Sequence, residues 1–543
     1  MKKQLPRNQR KSSTSGRTPG RAPVTGIGDS SPKTAWLKKL FGIDPRSLAL
    51  FRVLAGLMLL IDLAIRATDL RAMYTDAGMF PREEMHWRIT SVWNWSLHFG
   101  SGAAWFQAVL FGIAGILAVA LLAGFATRIA TIGSWLMLVS IQHRAPAILS
   151  GAEILLRMLL FWAMFLPLER AWSLDRWRAA RNGGGAPHSE PEPVVSIACA
   201  AILLQMGLMY LFSAISKSNG QWVHGEALAG ILSHDFYGKP AAGWLLRFPE
   251  LLKFLTWGTL TLEWAAPLLL FFPKGTPQLR LGAICGLALM HVGIGACLEV
   301  GLFSYVSLAG LSLFLPAEFW NGRVLGHATQ TAPVAENRKE STRKHPRLFQ
   351  AAQGLCVLAL IYVLALNLNG LSRKVLAPFD PEDWRVLRTG VGLSQSWGMF
   401  GEIPSMDGWY VARAKLKDGS TVDLLRNGAP LDWTRPKVPA RMYPNHYWHK
   451  LFREMCYFDD QGFQVYRAPV AEYLCRNWDA RHPAEKQVTE FEFIFCVMEK
   501  ERAANTLNPR IYRRQLVRLD YSPGNDRPVV SGYTDAPPGA GVP

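Results

Sequence analysis

Cysteine is scarce in this chain and wrongly spaced for metal chemistry. The seven thiols, at 199, 285, 297, 356, 456, 475 and 496, include no CxxC pair, which removes the usual zinc and iron–sulfur arrangements. There is no GxxxxGK[ST], no strand-linked GxGxxG and no HExxH, so neither a phosphate-cradling loop nor the helical zinc-protease site is encoded. Acids are also in deficit: 41 Asp and Glu against 59 Lys and Arg leave a formal charge of +18. Such a balance suits nucleic acid or a membrane surface. No nucleic acid is expected as a partner, because the cations fall between apolar stretches and no nucleic-acid-binding signature accompanies them. Residues 1–46 carry no apolar core of a cleavable signal. Rich in Ser, Pro, Gly, Lys and Arg, they read as a disordered basic cytoplasmic tail.

What the chain has in quantity is apolar surface. Half of its 543 residues are hydrophobic and 20 are tryptophan, the composition of a multi-pass membrane protein in contact with the lipid bilayer. Taking roughly 17–25 apolar residues per crossing, spans fall at 47–66, 103–126, 129–142, 151–168, 194–216, 251–272, 279–298, 300–316 and 351–370. The third is short and runs into His143, Arg144 and Pro146, which predicts a broken or tilted helix. The expected fold is an all-α multi-pass bundle of about nine spans: a transmembrane domain at 47–320, a basic cytoplasmic loop at 321–350 and a last helix at 351–370. A mostly β extracytoplasmic domain follows at 371–543.

Lysine and arginine in short loops mark the cytoplasmic side. The tail carries eleven of them against two acids before the first span, and alternation from there keeps four further groups inside. These are Arg128; Arg170, Arg176, Arg178 and Arg181; Lys274 and Arg280; and Arg338, Lys339, Arg343, Lys344 and Arg347. Lys217 then lies at the outer end of the fifth span, in a multi-pass inner-membrane protein with its C-terminal domain outside. In that domain VARAKLKDGSTVDLL reads as two strands around an Asp418-Gly419 turn, and VTEFEFIFCVMEK as another with Phe491, Phe493 and Phe495 in alternation. Two of Cys456, Cys475 and Cys496 can form a disulfide in an oxidising compartment, while Cys199, Cys285, Cys297 and Cys356, in spans, read as inert packing. His446 and His449 have helical spacing but no evident third ligand, so no metal site is expected.

Several spans hold charges that hydrocarbon does not tolerate unpaired. Asp62 with Arg66, and Glu153 with Arg157, are each four apart and can neutralise themselves on one helix face. Glu263 and His291 have no such neighbour, so their partners must come from other helices or water. On the fifth span Met206, Tyr210, Ser213 and Lys217 form one helical stripe ending at an amine. Lys217, with Trp222 close behind, is either an interfacial anchor whose stem snorkels to water or a reactive base at the mouth of a cavity.

The stretch AISKSNGQWVHGEAL resembles the catalytic-lysine segment of vitamin K-dependent γ-glutamyl carboxylase, where Lys is followed after four residues by Trp-Val-x-Gly. Here those are Lys217, Trp222, Val223 and Gly225. HVGIGACLEVGLFSYVSLA, with His291 and Tyr305, and WSLD at 172–175 are similar to the same family. YTDAGMFPRE and TRIATIGSW resemble its bacterial members with horizontally transferred transmembrane (HTTM) domains, and SWGMF at 396–400 loosely resembles a stretch of the carboxylase's lumenal β region. The resemblance implies a carbon–carbon lyase in which Lys217 deprotonates reduced vitamin K or a menaquinone-type quinol. Oxygen then turns the quinol into a base strong enough to take a γ-proton from an exported glutamyl peptide or other exported substrate. In that reading His291 is the second catalytic group, and Tyr210, Trp222, Glu263 and Tyr305 support or line the cavity. Where the family has an Asn-His pair this chain reads ILSGAEILLR, with Gly151, Ala152 and Glu153, a departure that bears on carboxylation while leaving lysine and quinone chemistry intact. The rival readings are a lipid-binding or proton-coupled transport protein using Glu263 and His291, and a non-catalytic membrane anchor for the β domain.

Overall fold

A computed structural model describes residues 32–83, 93–182, 192–272, 277–322, 346–371, 386–403, 406–456, 464–499, 510–521, 528–531 and 534–535. Residues 1–31 of the tail, Lys274, and the loop cations at 338–344 lie outside that set. The part of the tail that is described is not irregular. Pro32–Phe41 is a helix, and Ile43 exchanges two backbone hydrogen bonds with Val194.

Among the described residues five helices are long and apolar enough to cross a membrane: Pro45–Thr68, Ala104–Ala123, Ile197–Ser216, Pro277–Cys297 and Arg347–Gly370. The other four expected spans also form helices, of different character. Thr127–Arg144 runs unbroken through His143 and Arg144 and stops before Pro146, whose ring disfavours helical backbone in the preceding residue; the expected break is therefore a clean end. Gly151–Ala163 has only 13 residues, about 20 Å against a hydrocarbon core of about 30 Å. Pro249–Leu270 has 22 residues but carries Glu250, Lys253 and Glu263. Phe303–Leu311 continues only as a 3-10 turn to Phe314.

Local chemistry sets these boundaries. Asp44 accepts from the Arg46 amide at 2.8 Å at the start of Pro45–Thr68, answering one of the unpaired donors of a helix N-terminus. Ser150 and Glu153 form a reciprocal capping box at the start of Gly151–Ala163. The Ile197–Ser216 helix packs against Gly151–Ala163, Pro249–Leu270 and Pro346–Leu371, and Pro249–Leu270 lies on Pro277–Cys297. That arrangement surrounds Lys217.

The C-terminal region is an antiparallel sheet ordered β3-β2-β1-β4-β5-β6, with β7 on β5. Its strands are β1 Met406–Leu416, β2 Thr421–Asp423, β3 Ala429–Pro430, β4 Val488–Glu499, β5 Arg510–Asp520, β6 Val529–Ser531 and β7 Thr534–Asp535. Tyr410 opposes Phe495 and Ala412 opposes Phe493 across β1 and β4. The alternating Phe491, Phe493 and Phe495 are fully buried, in the same core as Leu451 and Phe452 of helix His446–Cys456 and Val470 of helix Arg467–Asp479. All seven cysteines are free, so none of the disulfides open to Cys456, Cys475 and Cys496 is formed. Cys456 ends a helix, Cys475 lies within another and Cys496 is on β4 beside Trp409 and Val411.

Candidate functional site

Lys217 is the residue on which the Ile197–Ser216 helix ends, and its amide donates to Ser213 and Ala214 carbonyls. Its side chain turns inward. The ammonium lies 2.9 Å from both carboxylate oxygens of Glu263, donates to Ser213 Oγ and sits 5.4 Å from the Trp222 ring centroid. The Lys217 and Glu263 side chains are each 6% exposed, and Trp222 is fully buried. Lys217 therefore does not snorkel, and Trp222 is not an interfacial anchor. Two turns back on the same face, Tyr210 OH is 2.9 Å from His291 Nε2, and the other nitrogen of that ring, Nδ1, is buried without a hydrogen-bond partner among the described residues.

These groups share one cavity with about 70 Å³ of space for the centres of water-sized molecules, room for about five waters. Its remaining walls are apolar, including Met209, Ile231, Met290, Leu298 and Phe303. Trp397, Met399 and Phe400 close it from the segment that leads into the β domain. Phe400 adopts a left-handed backbone, φ +57°, which costs a non-glycine residue about 1–2 kcal/mol. Its carbonyl is held by the Trp222 indole N–H at 2.8 Å.

Of the residues singled out in the sequence, Lys217, Tyr210, Ser213, Trp222, Glu263 and His291 come together here. Met206 is buried but does not line the cavity. Tyr305 does not belong to it: the side chain is 52% exposed. The chain turns at Gly301, φ +58°, so the helix begins at Phe303 and presents that ring to the cavity. Tyr305, two residues and about 200° further round, points away.

The two intrahelical ion pairs have different fates. Arg66 Nε bonds Asp62 at 2.7 Å, and Tyr447 of the C-terminal region donates to the same carboxylate. Glu153 does not pair with Arg157. It turns back to accept from the Ser150 amide at 2.7 Å, with Arg66 Nη2 at 3.6 Å, while Arg157 donates to Gln142 at 2.6 Å and to the Ser394 carbonyl at 2.7 Å. His143 is engaged by the Trp95 carbonyl and does not line the cavity. His446 and His449 diverge: His446 approaches Glu153 at 3.9 Å, and His449 packs among Phe236 and Tyr443. Among the described residues no group of three His, Cys, Asp or Glu side chains is placed to hold a metal ion.

Trp397, Met399 and Phe400 were not recognisable as cavity residues from periodicity, since they lie in an irregular segment. The only signal was the likeness of SWGMF to the carboxylase β region. A Cβ at Gly151 would stand 2.8 Å from Met399 Sδ, so the Gly151–Glu153 turn borders this segment.

No solved structure matches the chain. The HTTM domain model matches residues 42–320, a stretch that contains Lys217, Glu263, Tyr210 and His291 and ends before Trp397. The chain belongs to the HTTM domain family, which is related to vitamin K-dependent carboxylase.

Proposed function

We propose that this protein is a bacterial-type, carboxylase-related membrane enzyme of about nine spans, with its N-terminus cytoplasmic and its β domain outside. Its reactive group in this reading is Lys217, acting on a reduced quinone. The observation that carries it is a buried amine held between a carboxylate and a hydroxyl at the edge of an apolar cavity, with a second polar pair, Tyr210 and His291, in the same cavity. The wall chemistry fits a quinol: apolar surface for a ring and few polar groups to address its oxygens. The space does not admit a two-ring head group until the Trp397–Phe400 segment moves.

Reduced vitamin K or a menaquinone-type quinol would supply an ionisable hydroxyl and an oxygen-reactive ring. Lys217 accepts a proton only as a free amine. Glu263, at 2.9 Å, is the acceptor within reach of the proton that Lys217 must first give up. His291, fixed by Tyr210, orients an oxygen at its free nitrogen. Trp222, Trp397 and Phe400 exclude bulk water, which would quench a strong base. The substrate is an exported peptide or small molecule reaching the cavity from outside.

The rival reading is a structural clamp, favoured by the fact that Glu263 and Ser213 already hold the ammonium within the protein. The two separate with Lys217→Arg, because guanidinium keeps the charge and does not release its proton. Oxygen consumption with a reduced menaquinone should fall roughly 10²–10⁴-fold at matched expression and unchanged thermal stability. Equal rates for wild type and Lys217→Arg would leave the clamp.

A further inference from the structure

A second, larger cleft lies between the 232–247 segment and the β domain, with about 910 Å³ of space for water-sized molecules, within the range of small-ligand sites. Lys239, Arg247, Arg435 and Lys437 line it against one acid, Asp235. Part of the rim is fixed from below. Asp235 accepts from Arg435 Nε at 2.9 Å, and the Asp235 amide is anchored by both oxygens of the fully buried Asp407 at 2.9 Å. Lys239 is likewise held, donating to the Gly295 carbonyl at 3.0 Å. Arg247 and Lys437 are exposed and make no side-chain hydrogen bond or ion pair with the described residues. The cleft thus has two committed cations and two that are free.

Its mouth is apolar. Trp244 is 60% exposed in the cleft lining, and Phe248, Leu251 and Phe254 continue that exposed surface into the first turns of Pro249–Leu270. The lipid reading rests on the proposed nine-span arrangement, in which Pro249–Leu270 crosses the membrane: exposed aromatics at the start of such a helix lie at headgroup level, where basic pockets recognise anionic headgroups. We propose that this cleft binds an anionic phospholipid, its phosphate between Arg247 and Lys437 and its acyl chains along Trp244 and Phe254. The site is separate from the Lys217 cavity and does not rest on the reading given to it. An acidic peptide would find the same cations, but it would not account for the aromatic surface that continues from them towards the bilayer.

Full-length protein in neutral detergent, presented with short-chain phosphatidylglycerol or phosphatidylcholine and read by native mass spectrometry, tests this. Wild type should retain phosphatidylglycerol in preference to phosphatidylcholine. Arg247→Gln/Lys437→Gln should lower that retention about tenfold to thirtyfold, and Lys486→Gln, an exposed cation elsewhere, should not. Both target side chains are exposed, so folding is not at stake. Equal retention of the two lipids, or full retention by the double variant, overturns the proposal. So does displacement of the lipid by glycerol phosphate as readily as by phosphatidylglycerol itself, which would make the cleft a soluble-anion site. A glutamate-rich peptide that loses binding in the double variant while the lipid does not would assign the cleft to peptide instead.

Discussion

Breaking the Lys217–Glu263 pair from either side should be far more damaging than removing it whole. The ammonium is 2.9 Å from both carboxylate oxygens, with each side chain 6% exposed. At an effective dielectric of about 20 the attraction at that distance is about 6 kcal/mol. Most of it only offsets the removal of both charges from water, which leaves the pair close to neutral in net stability. Glu263→Ala strands an ammonium whose only other hydrogen-bond partner among the described residues is Ser213 Oγ, and Lys217→Ala strands a carboxylate; each should cost about 3–5 kcal/mol. Lys217→Met/Glu263→Met fills the same space without charge and should lie within about 1–2 kcal/mol of wild type while losing all turnover. Thermal unfolding of the purified proteins in one detergent, followed by loss of the monodisperse chromatographic peak, gives the order of stabilities. Single variants as stable as wild type, or a double variant worse than both, would refute the buried pair and with it the proton-holding role of Glu263.

Burial among Phe236 and Tyr443 pushes the His449 imidazole down to about 3. The unfolded chain therefore binds the extra proton between that value and about 6.5, and stability should fall by up to about 1.4 kcal/mol per pH unit below 6.5. His449→Phe should flatten this slope in denaturant titrations at pH 7 and pH 5. Gly301→Ala places a Cβ at φ +58° and 2.7 Å from the His446 ring, so a loss of at least about 1–2 kcal/mol should appear in thermal unfolding. Cys496, raised to about 12 by burial, and Cys456 and Cys475, raised further, should resist maleimide near neutral pH and label after denaturation without reductant. Cross-linked peptides among them would contradict the free thiols.

Helical spacing carried the reading of the cavity as far as one helix goes. Tyr210, Ser213 and Lys217 share a face because a helix repeats every 3.6 residues, and Glu263 and His291 were identifiable as charges or polar groups in need of partners elsewhere. Which partners they take depends on how helices pack, and no local pattern encodes that. Glu153 misled for another reason. Its four-residue distance from Arg157 is a valid ion-pair spacing, but Ser150-x-x-Glu153 is also a capping box, and the unpaired amides of a helix start compete for the same carboxylate. Tyr305 entered the cavity reading through the family resemblance alone; the turn at Gly301 starts the helix at Phe303, which faces the cavity in its place. The β domain was legible where Phe491, Phe493 and Phe495 alternate; helices His446–Cys456 and Arg467–Asp479, which pack beneath those rings, were not seen.

Three side chains around the amine, Trp397, Met399 and Phe400, come from beyond residue 320, where the family match ends. The family-matched bundle therefore supplies the buried Lys217, and the segment beyond it supplies part of the cavity wall. Chains that keep the bundle but carry a different appendage would offer the same lysine a cavity of different depth and outline. In the proposed reading, selectivity in such a lineage would change by swapping one terminal module, with Lys217 and Glu263 left in place. Excising the β domain together with the 396–400 segment should then do more than strip off a passenger, since it would remove one wall of the Lys217 cavity.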